Sequence, residues 1–332
     1  MHESPRSDKA PGMELVLLGT AAGPVPMMGR TGISSALIVD GRIYIVDLGH
    51  GSFDQFEKAG LDIGDLDNIF ITHLHSDHIA DLYTMLWLRA GGYNSLTHAV
   101  NVYGPGPAGG LPAPAMPGAD PIIVNPENPT PGLADLINTQ IAATAYDVNI
   151  RMRDESWTPI YDRVNLKEIV LPDVGASATG NLTPPMQPFL IMSDDRVQVS
   201  AILVHHPPVF PSYAFRFDTA YGSVVFSGDT SRCGNMVTLA RGATLLVHEA
   251  IDLEVVQMAG NVSAGQAQHL EHSHTDVNEV GGVAQAAGVK TLVLSHLVPA
   301  TTLLPDAGWK AKASKGFDGE VIVGNDLMRI PL

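Results

Sequence analysis

The stretch Ile71-Thr-His-Leu-His-Ser-Asp-His78 decides the fold, because it places three imidazoles and one carboxylate within six residues. Before it, residues 69–71 form a short apolar run, which is typical of a buried strand. After it, apolar residues recur at helical spacing from residue 79 until two glycines at 91 and 92 end the pattern. The motif therefore lies where a strand ends and a helix begins.

The spacing of these polar residues suits metal ions. His73, His75 and Asp77 alternate along the chain, so an extended segment points them the same way. His78 comes from the opposite side as the helix starts. One turn can therefore serve two neighbouring ions, with the first two histidines on one ion and Asp77 with His78 on the other. Imidazole and carboxylate suit zinc, and also manganese or iron, and such paired ions lie roughly 3.5–4 Å apart.

At these residues the chain resembles the metallo-β-lactamase-fold superfamily, whose signature is H-x-H-x-D-H. The resemblance covers roughly residues 13 to 330 and implies an α/β (α+β) fold, a four-layer αββα sandwich in which two sheets pack between helical layers. Further segments strengthen it, namely residues 18–23, residues 47–51, His206-Pro-Pro, Ser227-Gly-Asp-Thr230 and Leu292-Val-Leu-Ser-His296.

The resemblance also implies a set of metal ligands for two divalent ions. His206 would join His73 and His75 on one ion, and His296 would join Asp77 and His78 on the other. Asp229 would bridge the two ions. Residues 197–204 alternate into a strand that ends in His205-His206, and alternation alone does not choose between these histidines. The resemblance favours His206.

Two further motifs resemble the ribonuclease Z and arylsulfatase-like branch of that superfamily. Val247-His-Glu-Ala250 resembles the His-Glu-Ala-Thr motif of the branch, although Ile251 replaces the threonine, and His274-Thr-Asp276 stands where the branch has His-Ser-Thr. The branch implies that His274 donates a proton to the leaving group and that Glu249 orients it. His274 precedes a predicted helix, whose positive end lowers a histidine pKa unless a carboxylate such as Glu249 offsets it.

The motifs together predict a dinuclear metal hydrolase. A hydroxide between the ions, with its pKa lowered towards ~7, would attack a carbonyl, phosphorus or sulfur centre. His274 and Glu249 would serve the leaving oxygen, and Asp77 is counted as a catalytic residue as well as a ligand. Zinc is the expected metal, with manganese or iron as alternatives.

Length and composition indicate one large globular domain. The chain has 332 residues, of which 45% are hydrophobic, so it can bury a large core. Cys233 stands alone, which excludes internal disulfides and fits a reducing compartment. No apolar run approaches the ~20 residues that a membrane span needs. Residues 1–12 lack the apolar core of a signal peptide, so we predict a disordered lead, a domain over 13–332 and a cytoplasmic location.

The charge of the chain bears on its partners. The formal net charge is −16, from 35 acidic and 19 basic residues. A protein that grips nucleic acid neutralises phosphates with Lys and Arg, so this balance disfavours a long RNA ligand. Two cations would locally reverse the sign at the site, so an anionic small substrate fits.

The segment between His78 and His206 is much longer than the usual connection between two secondary-structure elements. Residues 104–132 are crowded with Pro and Gly, whereas a helical pattern returns at 133–153. We predict a helical cap insertion over the site at about 105–195, whose size also suits a dimer surface. Its apolar residues, including Trp157 and Met186, either contact a small, partly apolar substrate or form the core of the cap itself.

Three residues outside the motifs have weaker signals. Residues 266–273 read as a polar loop, in which His269 and His272 are expected at the surface. Arg30 lies in a loop that faces the metals in the resembled branch, so it either contacts substrate or is an ordinary surface arginine.

Four functions compete. The preferred one is a small-molecule hydrolase acting on a carboxylic, phosphodiester or sulfate ester. The alternative is a ribonuclease Z-type tRNA 3′-processing endonuclease, which the His274 and Glu249 motifs favour and the net charge opposes, so tRNA is disfavoured without being excluded. A lactonase or β-lactamase is a further alternative, but lactonases of the superfamily carry a tyrosine where Arg232 stands. A flavodiiron-like redox protein would need a glutamate or a flavodoxin domain, and the sequence shows neither.

Overall fold

The computed structural model describes residues 11–114, 122–259, 263–299 and 304–332. Of the predicted disordered lead, residues 1–10 lie outside the described part. The strands are β1 (Met13–Gly19), β2 (Ser34–Val39), β3 (Arg42–Val46), β4 (Leu66–Phe70), β5 (Val100–Pro105), β6 (Val164–Ile169), β7 (Phe189–Ser193), β8 (Val197–Leu203), β9 (Tyr213–Thr219), β10 (Gly222–Phe226), β11 (Leu245–Ile251), β12 (Thr291–Val298), β13 (Glu320–Val323) and β14 (Arg329–Pro331). The helices are α1 (Ser52–Lys58), α2 (Ser76–Ile79), α3 (Leu82–Leu88), α4 (Leu133–Ala143), α5 (Ala145–Asp154), α6 (Gly234–Ala240), α7 (Leu253–Ala259), α8 (Ala264–Ser273), α9 (Val277–Ala287) and α10 (Asp306–Ala313), with short 3-10 turns at Ile63–Asp65 and Ile160–Asp162.

Two mixed sheets follow the same plan. Within the described residues, each has seven strands, in the orders β14-β1-β2-β3-β4-β5-β6 and β13-β12-β11-β10-β9-β8-β7. In the first sheet β3 to β6 are parallel, and in the second β10 to β13 are parallel. Parallel neighbours need crossover connections, which the helices supply. Helices α1 to α5 therefore belong to the first sheet, and α6 to α10 belong to the second.

Alternating apolar residues explain how the layers stack. Leu15 and Leu17 of β1 join the core that includes the second sheet, whereas Val16 and Leu18 point to the other face and pack with α1, α3 and α4. Phe70 of the first sheet meets Phe217 of the second edge to face, with ring centroids 5.1 Å apart. On the far face of the second sheet, α6, α9 and α10 are packed against the same core. The predicted αββα sandwich is confirmed.

The segment predicted to cap the site lies elsewhere in the sandwich. Its helices α4 and α5 form as predicted, but β6 pairs with β5 and β7 pairs with β8, so the segment completes an edge of each sheet. Leu133, Ile137 and Ile141 of α4 are buried against the outer face of the first sheet. Helix α4 belongs to the β5–β6 crossover, and its apolar face covers the outer face of the first sheet, so its placement differs from a cap over the site.

A second difference concerns residues 264–273, which form helix α8 where the sequence analysis predicts a polar loop. The side chain of Ser263 accepts a hydrogen bond from the Gln266 amide at 3.2 Å, which caps the first turn. The segment is rich in Ala and Gln, which favour helix in spite of its polarity. In the part of the chain that the structure describes, no helix is long and apolar enough to cross a membrane.

Candidate metal centre

The ends of several strands meet at one edge of the sandwich. His73 and His75 follow β4, His206 follows β8 and Asp229 follows β10, whereas His296 lies within β12. The carboxyl ends of the parallel strands face this edge, where ligands bind in open α/β sheets. The fold thus brings residues far apart in sequence into one place.

The first group of donor atoms comes from His73, His75, His206 and Asp229, whose candidate ligand atoms all lie within 4.8 Å of one another. Nε2 of His206 lies 3.3 Å from Nδ1 of His75. Oδ2 of Asp229 lies 3.8 Å from Nε2 of His73 and 3.9 Å from Nε2 of His206. These four side chains point towards a common centre.

The second group comes from Asp77, His78 and His296, again within 4.8 Å of one another. Nε2 of His296 lies 3.3 Å from Nε2 of His78 and 3.4 Å from Oδ2 of Asp77. Oδ1 of Asp229 is 3.4 Å from the His78 nitrogen and 3.3 Å from the His296 nitrogen. The two oxygens of Asp229 therefore face different groups, as a bridging carboxylate requires.

The chemistry and the unpartnered atoms of these side chains indicate a site for divalent ions. Nε2 of His73 and Oδ1 of Asp229 are buried and have no hydrogen-bond partner among the described residues. Buried polar atoms normally have partners, and a cation would satisfy both. The set of imidazoles and carboxylates is the donor set that zinc prefers, and manganese or iron also accepts it. The superfamily fold together with these clusters fits a site for two metal ions.

Hydrogen bonds behind the cluster orient its histidines. Nδ1 of His78 lies 2.8 Å from Oδ2 of Asp47, and that carboxylate also accepts from the amide and hydroxyl of Thr72, each at 2.8 Å. Nδ1 of His206 donates to the Ser273 carbonyl at 2.9 Å. Each bond leaves Nε2 facing the cluster. Asp47 was not among the predicted site residues, and the signal that could have identified it is an aspartate directly after the apolar strand 42–46.

Burial and charge set the protonation of the cluster. Burial lowers the pKa of His73 and of His206 well below the ordinary value, and lowers that of His75 to about 4. These three imidazoles are therefore neutral at pH 7, the state that binds metal. At His78 burial acts in the same direction, but Asp229, Asp47 and Asp77 overcome it and raise the pKa. A cation there must displace a proton.

His274 and Glu249 form a buried pair beside the cluster. Nδ1 of His274 lies 3.0 and 2.9 Å from the two Glu249 oxygens and 4.0 Å from Oδ2 of Asp229. The Thr230 amide donates to Glu249 at 2.7 Å and fixes the carboxylate. Burial alone would lower the pKa of His274, but Glu249 raises it to about 9. The carboxylate of Glu249, as predicted, therefore raises the pKa of His274 by more than burial lowers it.

The predicted helix after His274 does not begin at the residue next to it. Helix α9 starts at Val277, and its cap is Asp276, whose side chain accepts from the Asn278 amide at 2.8 Å. His274 instead caps the carboxyl end of α8. The negative end of that helix dipole favours an imidazolium, so it acts in the same direction as Glu249.

A cleft of about 500 Å³ opens above the cluster and reaches His75, Asp77, Asp229, His274 and His296. Its walls are largely apolar, and none of the described lining residues belongs to the segment 105–195. The apolar lining residues are Ala22, Pro24, Val25, Met27, Val256, Leu270, Val298 and Pro299. The site is therefore walled by the loop after β1, by α7 and α8, and by the end of β12.

His269 also lines this cleft, which corrects its prediction as a surface residue. Its ring centroid lies 5.4 Å from that of His206, 5.6 Å from that of His274 and 5.9 Å from that of His75. The expectation was wrong because helix α8 was not predicted. In a helix, His269 and Ser273 are one turn apart, which turns His269 towards the neighbouring His274.

Two other residues lie away from the cluster. His205 is half-buried, with Nδ1 lying 3.2 Å from the Thr183 hydroxyl, and it belongs to neither donor group. Arg30 donates to the Thr20 hydroxyl at 2.6 Å and to the Gly324 carbonyl at 2.7 Å. Its guanidinium therefore ties the first loop to the end of the chain, which is a structural role.

Comparisons with known proteins agree with this geometry. The sequence matches the family described as "Metallo-beta-lactamase superfamily" over residues 28–296. It is 30% identical over 318 residues to a ribonuclease Z of Mycobacterium avium (strain 104), covering 96% of this chain and 98% of the relative. The fold resembles human tRNase Z, short form, with a TM-score of 0.64 and 23% identity over 96% and 98% of the two chains. It also resembles the metallo-beta-lactamase fold protein YhfI of Bacillus subtilis, with a TM-score of 0.62 and 17% identity over 97% and 100%.

Proposed function

The chain belongs to the metallo-beta-lactamase superfamily and is a metal-dependent hydrolase, and on that premise we propose that it is a phosphodiesterase of the ribonuclease Z type. The observation that carries this proposal is the buried His274–Glu249 pair next to the donor cluster. Nearly full-length similarity to a ribonuclease Z adds to it. We therefore prefer the ribonuclease Z-type endonuclease over the small-molecule esterase. We propose that it cleaves precursor tRNA at the 3′ end.

We assign the donor groups as in the predicted ligand set. His73, His75 and His206 would hold one ion, Asp77, His78 and His296 would hold the other, and Asp229 would bridge. We expect zinc, because imidazole nitrogen dominates the donors. When bound, such a pair of ions supplies an activated water and neutralises charge on the phosphate.

Asp77 and His274 each carry out one of the two proton transfers. Asp77 lines the cleft, and its carboxylate accepts the proton that the attacking water gives up. As the water oxygen bonds to phosphorus, the bond to the leaving oxygen breaks and its electron pair stays on that oxygen. His274 donates its Nε2 proton to that oxygen, while Nδ1 keeps its hydrogen bond to Glu249. Glu249 thereby holds the ring in place and stabilises its charged form.

A small-molecule phosphodiesterase is the second candidate, and one observation favours it. The described residues that line the cleft include no lysine or arginine, and the net charge of the chain is −16. An enzyme that grips a long RNA gains most of its affinity from such cations. Under this candidate the ions alone attract the phosphate, and the apolar walls receive the organic part of the substrate.

The experiment that tests the proposal compares two substrates on the metal-loaded protein. One is a precursor tRNA with a 3′ trailer, and the other is bis(p-nitrophenyl) phosphate. The proposal expects endonucleolytic removal of the trailer, lost in Asp229→Ala. Asp218→Ala, which changes a partly exposed carboxylate, is the matched control. Hydrolysis of the small diester without any cleavage of the precursor would favour the second candidate.

A further inference from the structure

A second imidazole stands beside the proton donor in the cleft, and the reaction described above does not use it. His269 lies on α8 and faces the cleft together with His274. A ring nitrogen of each lies within 4.8 Å of one of the other's. His269 also forms a group with His206 and His274, but it belongs to neither of the two donor groups assigned to the ions, and we consider it here as a contact for the substrate.

The hydrogen bonds of His269 decide which of its nitrogens faces a ligand. Nδ1 lies 3.0 Å from the Ser273 hydroxyl oxygen, and that hydroxyl gives its own hydrogen to the Pro207 carbonyl. Ser273 must therefore accept from Nδ1–H of His269. The neutral ring then carries its lone pair on Nε2, which is an acceptor for a hydroxyl hydrogen.

The distance between the two rings suits a pair of oxygens on adjacent carbons. The two ring centroids lie 5.6 Å apart, and one nitrogen of each ring lies within 4.8 Å of one nitrogen of the other, whereas vicinal oxygens lie closer together than either distance. Each oxygen can then reach its own nitrogen at the usual hydrogen-bond length of about 2.8 Å. One oxygen is the leaving oxygen that receives the proton of His274, and the other is a hydroxyl that donates to His269.

We propose that His269 recognises the hydroxyl next to the leaving oxygen, and so selects a ribonucleotide on the 5′ side of the scissile phosphate. This inference rests on the proposed phosphodiesterase function. In RNA the leaving 3′ oxygen has a 2′-hydroxyl on the adjacent carbon, whereas DNA has none, and this hydroxyl is what lets a protein tell the two apart. His269 is a specificity residue, and the bond-breaking step does not need it.

The test uses two forms of one precursor RNA, an all-ribose form and a form with a single 2′-deoxynucleotide on the 5′ side of the cleavage site. The wild-type protein should cleave the ribose form about tenfold faster, because one hydrogen bond is lost in the other. His269→Phe removes the acceptor and should slow the ribose form to the rate of the deoxy form. His269→Gln keeps an acceptor oxygen and should restore part of the preference.

Two controls separate this inference from its premise. His272→Phe changes an exposed histidine on the same helix and should leave the preference intact. Hydrolysis of bis(p-nitrophenyl) phosphate, which has no vicinal hydroxyl, should be unchanged in His269→Phe, as should the metal content. Equal slowing of both RNA forms, an unchanged preference, or loss of metal in His269→Phe would each overturn the inference. Hydrolysis of the small diester with no RNA cleavage by the wild-type protein would overturn the proposed function itself.

Discussion

The two sides of the cleft are built differently. On one side lie the seven donor residues, most of them buried, and partners such as Asp47 and the Ser273 carbonyl fix the rings of His78 and His206. On the other side lie Glu249, His274 and His269, of which His269 is only half-buried on α8. We infer that the first side determines which ions bind. On the second side, His274 and Glu249 determine how the leaving group is protonated, whereas His269 contacts only the hydroxyl beside it. Substitutions should therefore separate metal content from turnover.

The largest effect on both metal content and turnover is expected from a substitution among the seven donor residues. Asp229→Ala removes the carboxylate whose two oxygens face both donor groups. Metal content should fall for both ions, and phosphodiester hydrolysis should drop to the background rate. Elemental analysis of the purified variant, together with its rate, checks this. Retention of both ions would show that Asp229 is not the bridge.

His274→Ala should affect turnover and leave the metal content unchanged. For an RNA substrate, whose leaving oxygen is a poor leaving group, the rate should fall by roughly 10²- to 10⁴-fold. For bis(p-nitrophenyl) phosphate the fall should be much smaller, because p-nitrophenolate departs without a proton. Rates on both substrates, with metal analysis, check the prediction. Loss of metal in this variant would show that His274 is a metal ligand and not the proton donor.

Glu249→Gln should have an intermediate effect with a distinctive pH dependence. Burial lowers the pKa of His274, and Glu249 raises it to about 9, so loss of the charge should lower that pKa. A proton donor works below its pKa, so the alkaline limb of the pH–rate profile should move to lower pH. At neutral pH the rate should fall by roughly 10- to 10²-fold. An unmoved alkaline limb would mean that Glu249 does not control this proton.

The smallest effect on turnover is expected outside both sides of the cleft. Ile137→Ala opens a cavity where α4 packs on the outer face of the first sheet. The free energy of unfolding should fall by about 2–5 kcal/mol, whereas kcat on either substrate should not change. Denaturant unfolding and steady-state rates measure the two quantities. A large fall in kcat would mean that the segment 105–195 contacts the substrate after all.

The segments 105–195 and 264–273 show where prediction from the sequence reaches its limit. The helical pattern of 133–153 is present in the structure as α4 and α5, but periodicity does not say which surface the apolar face will cover. Helix α8 was missed because its polar residues carry no apolar period, and with it the position of His269. An amphipathic pattern identifies an element, whereas the cleft wall depends on how elements pack.

The sequence by itself determined the superfamily fold, the contiguous motif from His73 to His78, and the identity of the distant candidates His206, Asp229, Glu249, His274 and His296. The motif from His73 to His78 follows from local spacing, whereas the fold and the distant candidates are what the resemblance of short motifs to the superfamily implies; a chain carries both signals without folding. Only the tertiary structure decided that the two oxygens of Asp229 face different donor groups, that Asp47 orients His78, and that α8 brings His269 beside His274. Those relations join residues distant in sequence, and their distances exist only once the two sheets have packed together.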